Sequence, residues 1–145
     1  MEITVGELIP VLQTAIGPVV LISGIGLLIL SMTNRLGRVI DRGRSLAREL
    51  PELPVQLHNQ VKAQLVILSQ RARYLRSAIS FATLSVLLAA VLIIALFVTA
   101  VFQLENVWLI LFLFVTSMGS LIVSLIIFLL DLNQSLIAFK LDIGQ

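Results

Sequence analysis

Cysteine is absent from the chain, which excludes disulfides, thiolate chemistry and cysteine metal ligands. Histidine occurs once, at His58, and charged residues make up 12% of the sequence, about half the ~25% of a soluble domain. These scarcities argue against catalysis. The sequence holds no paired-carboxylate site, no nucleophile–base arrangement and no phosphate-cradling glycine loop, so neither enzyme activity nor a cofactor or metal is expected. His58 sits beside Gln56, Asn59 and Gln60 and reads as a solvated side chain. A positive n-region is also lacking: Glu2 and Glu7 precede an apolar run too long for a signal peptide. The first apolar segment is therefore expected to persist as an anchor.

Apolar residues dominate instead, at 59% of the chain, with a mean hydropathy of +1.08. The placement of the few charges fixes the class. Asp, Glu, Lys, Arg and His are all missing between Glu7 and Arg35, between Arg76 and Glu105, and between Glu105 and Asp131, in runs of 27, 28 and 25 residues. About 20 apolar residues cross the ~30 Å of hydrocarbon in a bilayer as a helix. Three membrane spans follow, over about 8–32, 77–102 and 107–130. The second and third are joined only by Gln103, Leu104, Glu105 and Asn106, which forces an antiparallel pair. Trp108, just inside the third span, suits the headgroup level.

Residues 33–76 form the one sizeable polar segment. Arg35, Arg38, Arg42, Arg44, Arg48, Lys62, Arg71, Arg73 and Arg76 outweigh Asp41, Glu49 and Glu52 for a net charge of +6. The opposite side carries Glu2, Glu7 and Glu105 and no Lys or Arg. Basic excess marks the cytoplasmic side, so the N-terminus is expected outside and the C-terminus inside. Leu36, Val39, Ile40, Gly43, Leu46 and Leu50 recur at helical spacing, as do Val61, Leu65, Leu68, Ala72, Leu75 and Ile79. Pro51 and Pro54 interrupt them, because proline lacks an N–H and disfavours a helical residue before it. The segment thus reads as a cytoplasmic helical hairpin with a proline tip. No breaker separates either arm from its span, so two long helices are expected, the first about 63 Å long at ~1.5 Å per residue. The fold class is an all-α membrane protein, a single membrane domain over 1–145. After Leu130, an amphipathic C-terminal tail over 131–145 mixes Leu132, Leu136, Ile137, Phe139 and Leu141 with Asp131, Asn133, Gln134, Lys140 and Asp142. It reads either as an interfacial or hairpin-packed segment or as the frayed end of span three.

The spans contain no ionisable group, which disfavours a proton-coupled transporter, and three helices give too little wall for an alternating-access site. Two faces stand out. Gly17, Gly24 and Ser31 lie seven apart, with Arg38 continuing the series and Pro18 a candidate kink; Ser117, Ser120, Ser124 and Asp131 form the other, with Thr116 and Gly119 alongside. Small residues let membrane helices approach closely and hydroxyls bond across the contact, so these are helix-packing faces or, in an oligomer, pore-lining ones. Arg35, Arg71, Arg73 and Arg76, at the inner span ends, suit anionic headgroups of the inner leaflet, or a cationic ring in an oligomer. Nucleic acid is not expected as a partner, since Tyr74 is the segment's only stacking aromatic.

The run Pro18-Val19-Val20-Leu21-Ile22-Ser23-Gly24, then Asn34, Arg35, Arg38, Asp41 and Arg42 in the pattern Asn-Arg-x-x-Arg-x-x-Asp-Arg, resembles a bacterial family catalogued as domain of unknown function 2721. The resemblance covers nearly the whole chain. It implies a bacterial inner-membrane or related location and brings no assigned activity. Asn34, Arg35, Arg38, Asp41 and Arg42, with Arg71, Arg73 and Arg76, are the candidate interfacial charge cluster. Asp41 is placed to pair with Arg38 at i, i+3. Symmetric pairing about the proline tip sets Arg35 opposite Gln70 and Arg71. Two functional expectations follow: a homo-oligomer, with or without an enclosed ion pathway, or a non-conducting lipid-binding or partner-binding accessory protein.

Overall fold

The computed structural model describes residues 2–144, and the side chains of all of these except 138 and 141–143. Leu141 and Asp142 of the tail pattern, and the first and last residues of the chain, fall outside that description. The described chain is helical: α1 spans Val5–Glu49, a 3-10 turn covers Leu50–Glu52, α2 spans Val55–Phe102 and α3 spans Val107–Ile143. All three helices are long and apolar enough to cross a membrane. By length and composition these helices suggest a multi-pass membrane protein.

The ends of these helices follow from local chemistry. At the start of α1, the Glu7 carboxylate accepts the Thr4 backbone N–H at 3.3 Å, satisfying one of the donors a helix start leaves free. Thr4-Val5-Gly6-Glu7 is a capping-box sequence, legible in retrospect. Pro10 and Pro18 lie within α1 without ending it. At the hairpin tip, Pro51 falls inside the 3-10 turn and Pro54 immediately precedes α2. The expectation of a solvated His58 is corrected here. It is half-buried, and its Nε2 lies 2.9 Å from the Leu53 carbonyl, which can only accept, so His58 donates and closes the turn. α2 ends where Gln103 takes φ 49°, the left-handed conformation, while the Leu104 N–H bonds the Thr99 carbonyl at 3.1 Å. α3 continues through Asp131 to Ile143, so the tail prolongs span three.

Two compact units are distinguished along these helices: Met1–Ile29 with Phe81–Val123, and Leu30–Ser80 with Ser124–Gln145. In the first, α1 contributes buried Ala15 and Ile25, α2 contributes Ala82, Ser85, Ala89 and Leu92, and α3 contributes Ser117 and Ser120. In the second, Met32, Val39 and Leu46 of α1 are buried, with Val61, Leu75 and Ala78 of α2 and Ser124 and Asp131 of α3. The buried residues of α1 fall on a seven-residue period from Ile25 to Leu46, the spacing of a helix packed with a slight left-handed crossing. Large residues thus fill the α1 side. The α2 side mixes Ala78, Ala82, Ser85 and Ala89 with Val61, Leu75 and Leu92, and the buried α3 side is serine and Asp131.

Candidate functional site

Lipid is as apolar as leucine, so helices associate in a membrane through close packing and interhelical hydrogen bonds. The serine face of α3 supplies both. In the first unit, the Ser85 hydroxyl donates to the Ser117 carbonyl at 2.8 Å, and the Ser117 hydroxyl donates back to the Ser85 carbonyl at 2.9 Å. Ser120 donates to the Phe81 carbonyl at 2.7 Å. In the second unit, Ser124 donates to the Ala78 carbonyl at 2.6 Å. A serine hydroxyl is one bond beyond Cβ, so it reaches another helix's backbone only where the two backbones nearly touch. Ser117, Ser120 and Ser124 therefore hold α3 to α2 of the same chain. Hydroxyls on the outer surface are satisfied differently: Thr14, Ser23 and Thr116 fold back onto the carbonyls of Pro10, Val19 and Phe112.

The glycine face is not used in this way. Gly17, Gly24, Ser31 and Arg38 are exposed, and a Cβ at Gly17 or Gly24 would meet nothing within 4 Å. The glycine face stays open for contact between subunits, and within the chain Ile25, Met32, Val39 and Leu46 form the inward face of α1 instead. They follow the same seven-residue period one position along, which is ~100° round the helix.

The charged residues converge in the second unit, on Asp131. Its side chain is 0% exposed. Arg35 Nη2 of α1 donates to Oδ2 at 3.2 Å, and Arg71 Nε of α2 donates to Oδ1 at 3.3 Å. One carboxylate from α3 thereby ties together α1 and α2. The Arg35 guanidinium also lies over the Phe128 ring, 5.6 Å from its centroid. These are the ion pairs among the described residues. The expected Asp41–Arg38 pair is not among them; both side chains are exposed, where such a pair gains little over solvation.

An open cavity of about 270 Å³ adjoins this triad. Arg35, Arg38 and Arg42 line it from α1, where spacings of three and four put them on one face. Arg71 lines it from α2 and Ser135 from α3, with Val39 and Leu68 as its apolar walls. Arg35, Arg38, Arg42 and Arg71 of the expected cluster are thus brought together. Asn34, Asp41, Arg73 and Arg76 are exposed and do not line it. Sequence reasoning missed Ser135 and the role of Asp131. The signal for Asp131 was its depth: it ends a charge-free run, as Arg35 does. In the first unit, an apolar cavity of about 290 Å³ is lined by Gly17 and Pro18 of α1, Ala89 and Leu92 of α2 and Phe114 of α3, among others.

A family described as protein of unknown function (DUF2721) matches the chain over residues 15–141. No curated protein and no solved structure gives a significant match.

Proposed function

Because the chain belongs to the DUF2721 family, whose description assigns no activity, we propose from its own geometry that it is a non-conducting, non-enzymatic membrane protein that engages anionic lipid headgroups at its basic end and serves as an accessory or scaffold. One observation carries this reading. Ser117, Ser120, Ser124 and Asp131, the polar groups best suited to line a pathway, are buried and bonded to other helices of the same chain. A group engaged in that way is not free to replace an ion's hydration shell. The free arginines, in contrast, lie just beyond the charge-free runs, where lipid phosphates reside. The charge asymmetry supports an orientation with the hairpin and C-terminus on the cytoplasmic side and the N-terminus outside, and the family resemblance favours a bacterial inner membrane.

Purified chain incorporated into a planar bilayer is expected to pass no current above the bare membrane at any salt gradient or voltage. Stepwise, protein-dependent conductance would overturn the proposal. A homo-oligomer is a second reading, favoured by the exposed Gly17 and Gly24, since such a face admits a helix of another copy. A mass in detergent equal to one chain plus micelle removes it.

A further inference from the structure

The cavity beside Asp131 collects more positive charge than the chain neutralises. Four arginines line its space of about 270 Å³, and the carboxylate that pairs with them, Asp131, is fully buried and already bonded to two of them, while Asp41 is exposed outside the lining. The lining arginines therefore outnumber the carboxylate bonded to them by three. Like charges lining one space repel, and an anion among them relieves that repulsion. The unengaged donors have the geometry for one. Arg71 bonds Asp131 through Nε and Arg35 through Nη2, leaving Nη1 of each, Nη2 of Arg71 and the buried Nε of Arg35 without a hydrogen bond among the described residues. Arg38 and Arg42 make no ion pair there, and Ser135 adds a hydroxyl at the same wall.

Asp131 gives the site its order. A guanidinium on a free stem loses much rotamer entropy when it binds. Arg35 and Arg71 are already fixed by the carboxylate, so their remaining forks are held in place before any ligand arrives. Planar guanidinium forks match the oxygens of a phosphate two at a time. The cavity is smaller than the ~300–1,000 Å³ of drug-sized sites, which suits a compact anion.

We propose that this cavity is a phosphate-binding site, with Arg38 and Arg42 as its principal ligands, Arg35 and Arg71 completing it from positions set by Asp131, and Ser135 hydrogen-bonding a phosphate oxygen. The proposal rests on the headgroup-binding reading above and narrows it to a defined pocket and chemical group. The phosphate belongs either to an anionic phospholipid or to a free phosphate in the aqueous phase.

The test is binding to the full chain in detergent, followed by thermal unfolding at constant ionic strength. Three probes are compared: inorganic phosphate, short-chain phosphatidic acid and short-chain phosphatidylcholine. Saturable stabilisation is expected from phosphatidic acid, from inorganic phosphate, or from both, and stronger than from phosphatidylcholine. Response to phosphatidic acid alone assigns the site to lipid, and response to inorganic phosphate identifies an aqueous ligand. Arg38→Ala/Arg42→Ala, which leaves the Asp131 triad intact, is expected to weaken binding by on the order of tenfold or more. Arg44→Ala/Arg48→Ala removes equal charge from the same helix outside the cavity and is expected to leave affinity within about twofold. Equal loss in both double variants, or no saturable binding of either phosphate probe, overturns the site. Undiminished adsorption of the chain's basic end to anionic vesicles in that case leaves the wider headgroup reading standing; its loss ends both.

Discussion

Asp131→Asn is expected to destabilise the protein in its natural background and to stabilise it when Arg35 and Arg71 are both alanine. The sign changes because the carboxylate is fully buried and has these two arginines as its ion-pair partners. With both present, replacing the charge loses two charge-assisted hydrogen bonds, each worth about 1.5–3 kcal/mol. With both absent, a bare carboxylate remains inside the helix packing, at a cost of about 3–5 kcal/mol. The amide relieves most of that, since an unpaired neutral group costs only about 1–3 kcal/mol. Reversible unfolding in mixed micelles measures all four corners of the cycle. Parallel changes in the two backgrounds would mean that Asp131 is not held by these arginines.

The second large effect lies at the α2–α3 seam. Ser85→Leu puts a branched side chain where two backbones are close enough for each serine to bond the other's carbonyl. Overpacking of this kind costs about 1–3 kcal/mol or more, beyond the lost hydrogen bonds. Ser85→Ala keeps the space and loses only hydrogen bonding, which averages about 0.6 kcal/mol per bond between membrane helices. Mixed-micelle unfolding is expected to separate the two variants by at least 1 kcal/mol. If leucine is tolerated as well as alanine, the close approach is wrong.

Much of this architecture was legible from the sequence. Three charge-free runs of 27, 28 and 25 residues define helices able to cross a membrane, and Pro51 and Pro54 mark the break between α1 and α2. Symmetry about that tip sets Arg35 opposite Gln70 and Arg71, and Arg35 and Arg71 do meet, through Asp131. The choice of face on α1 was not legible. Gly17, Gly24 and Ser31 share a seven-residue period with Ile25 and Met32, and a period alone does not say which of two adjacent stripes turns inward. The larger side chains turn inward: Ile25 and Met32 are buried, while Gly17, Gly24 and Ser31 are exposed. The Asp131 triad needed α3 as a third element, and Asp131 stands 60 residues from Arg71 and 96 from Arg35 in sequence. Only the common depth of Arg35 and Asp131, each ending an apolar run, hinted at their meeting.

The triad and the cavity give this chain's Asn-Arg-x-x-Arg-x-x-Asp-Arg run a division of labour. Arg35 holds the helices together through Asp131, while Arg38 and Arg42 face the cavity. Asn34 and Asp41 are exposed beside them, and nothing in the structure explains their presence.

The central claim is that the basic end of the chain holds lipid phosphate and conducts nothing. The most direct measurement is the lipid that stays with the protein after gentle detergent extraction, identified by native mass spectrometry. The account expects one or a few anionic phospholipids per chain, enriched over their share of the source membrane and depleted in Arg38→Ala/Arg42→Ala. Retained lipid with the composition of the bulk membrane, unchanged in that variant, would contradict it.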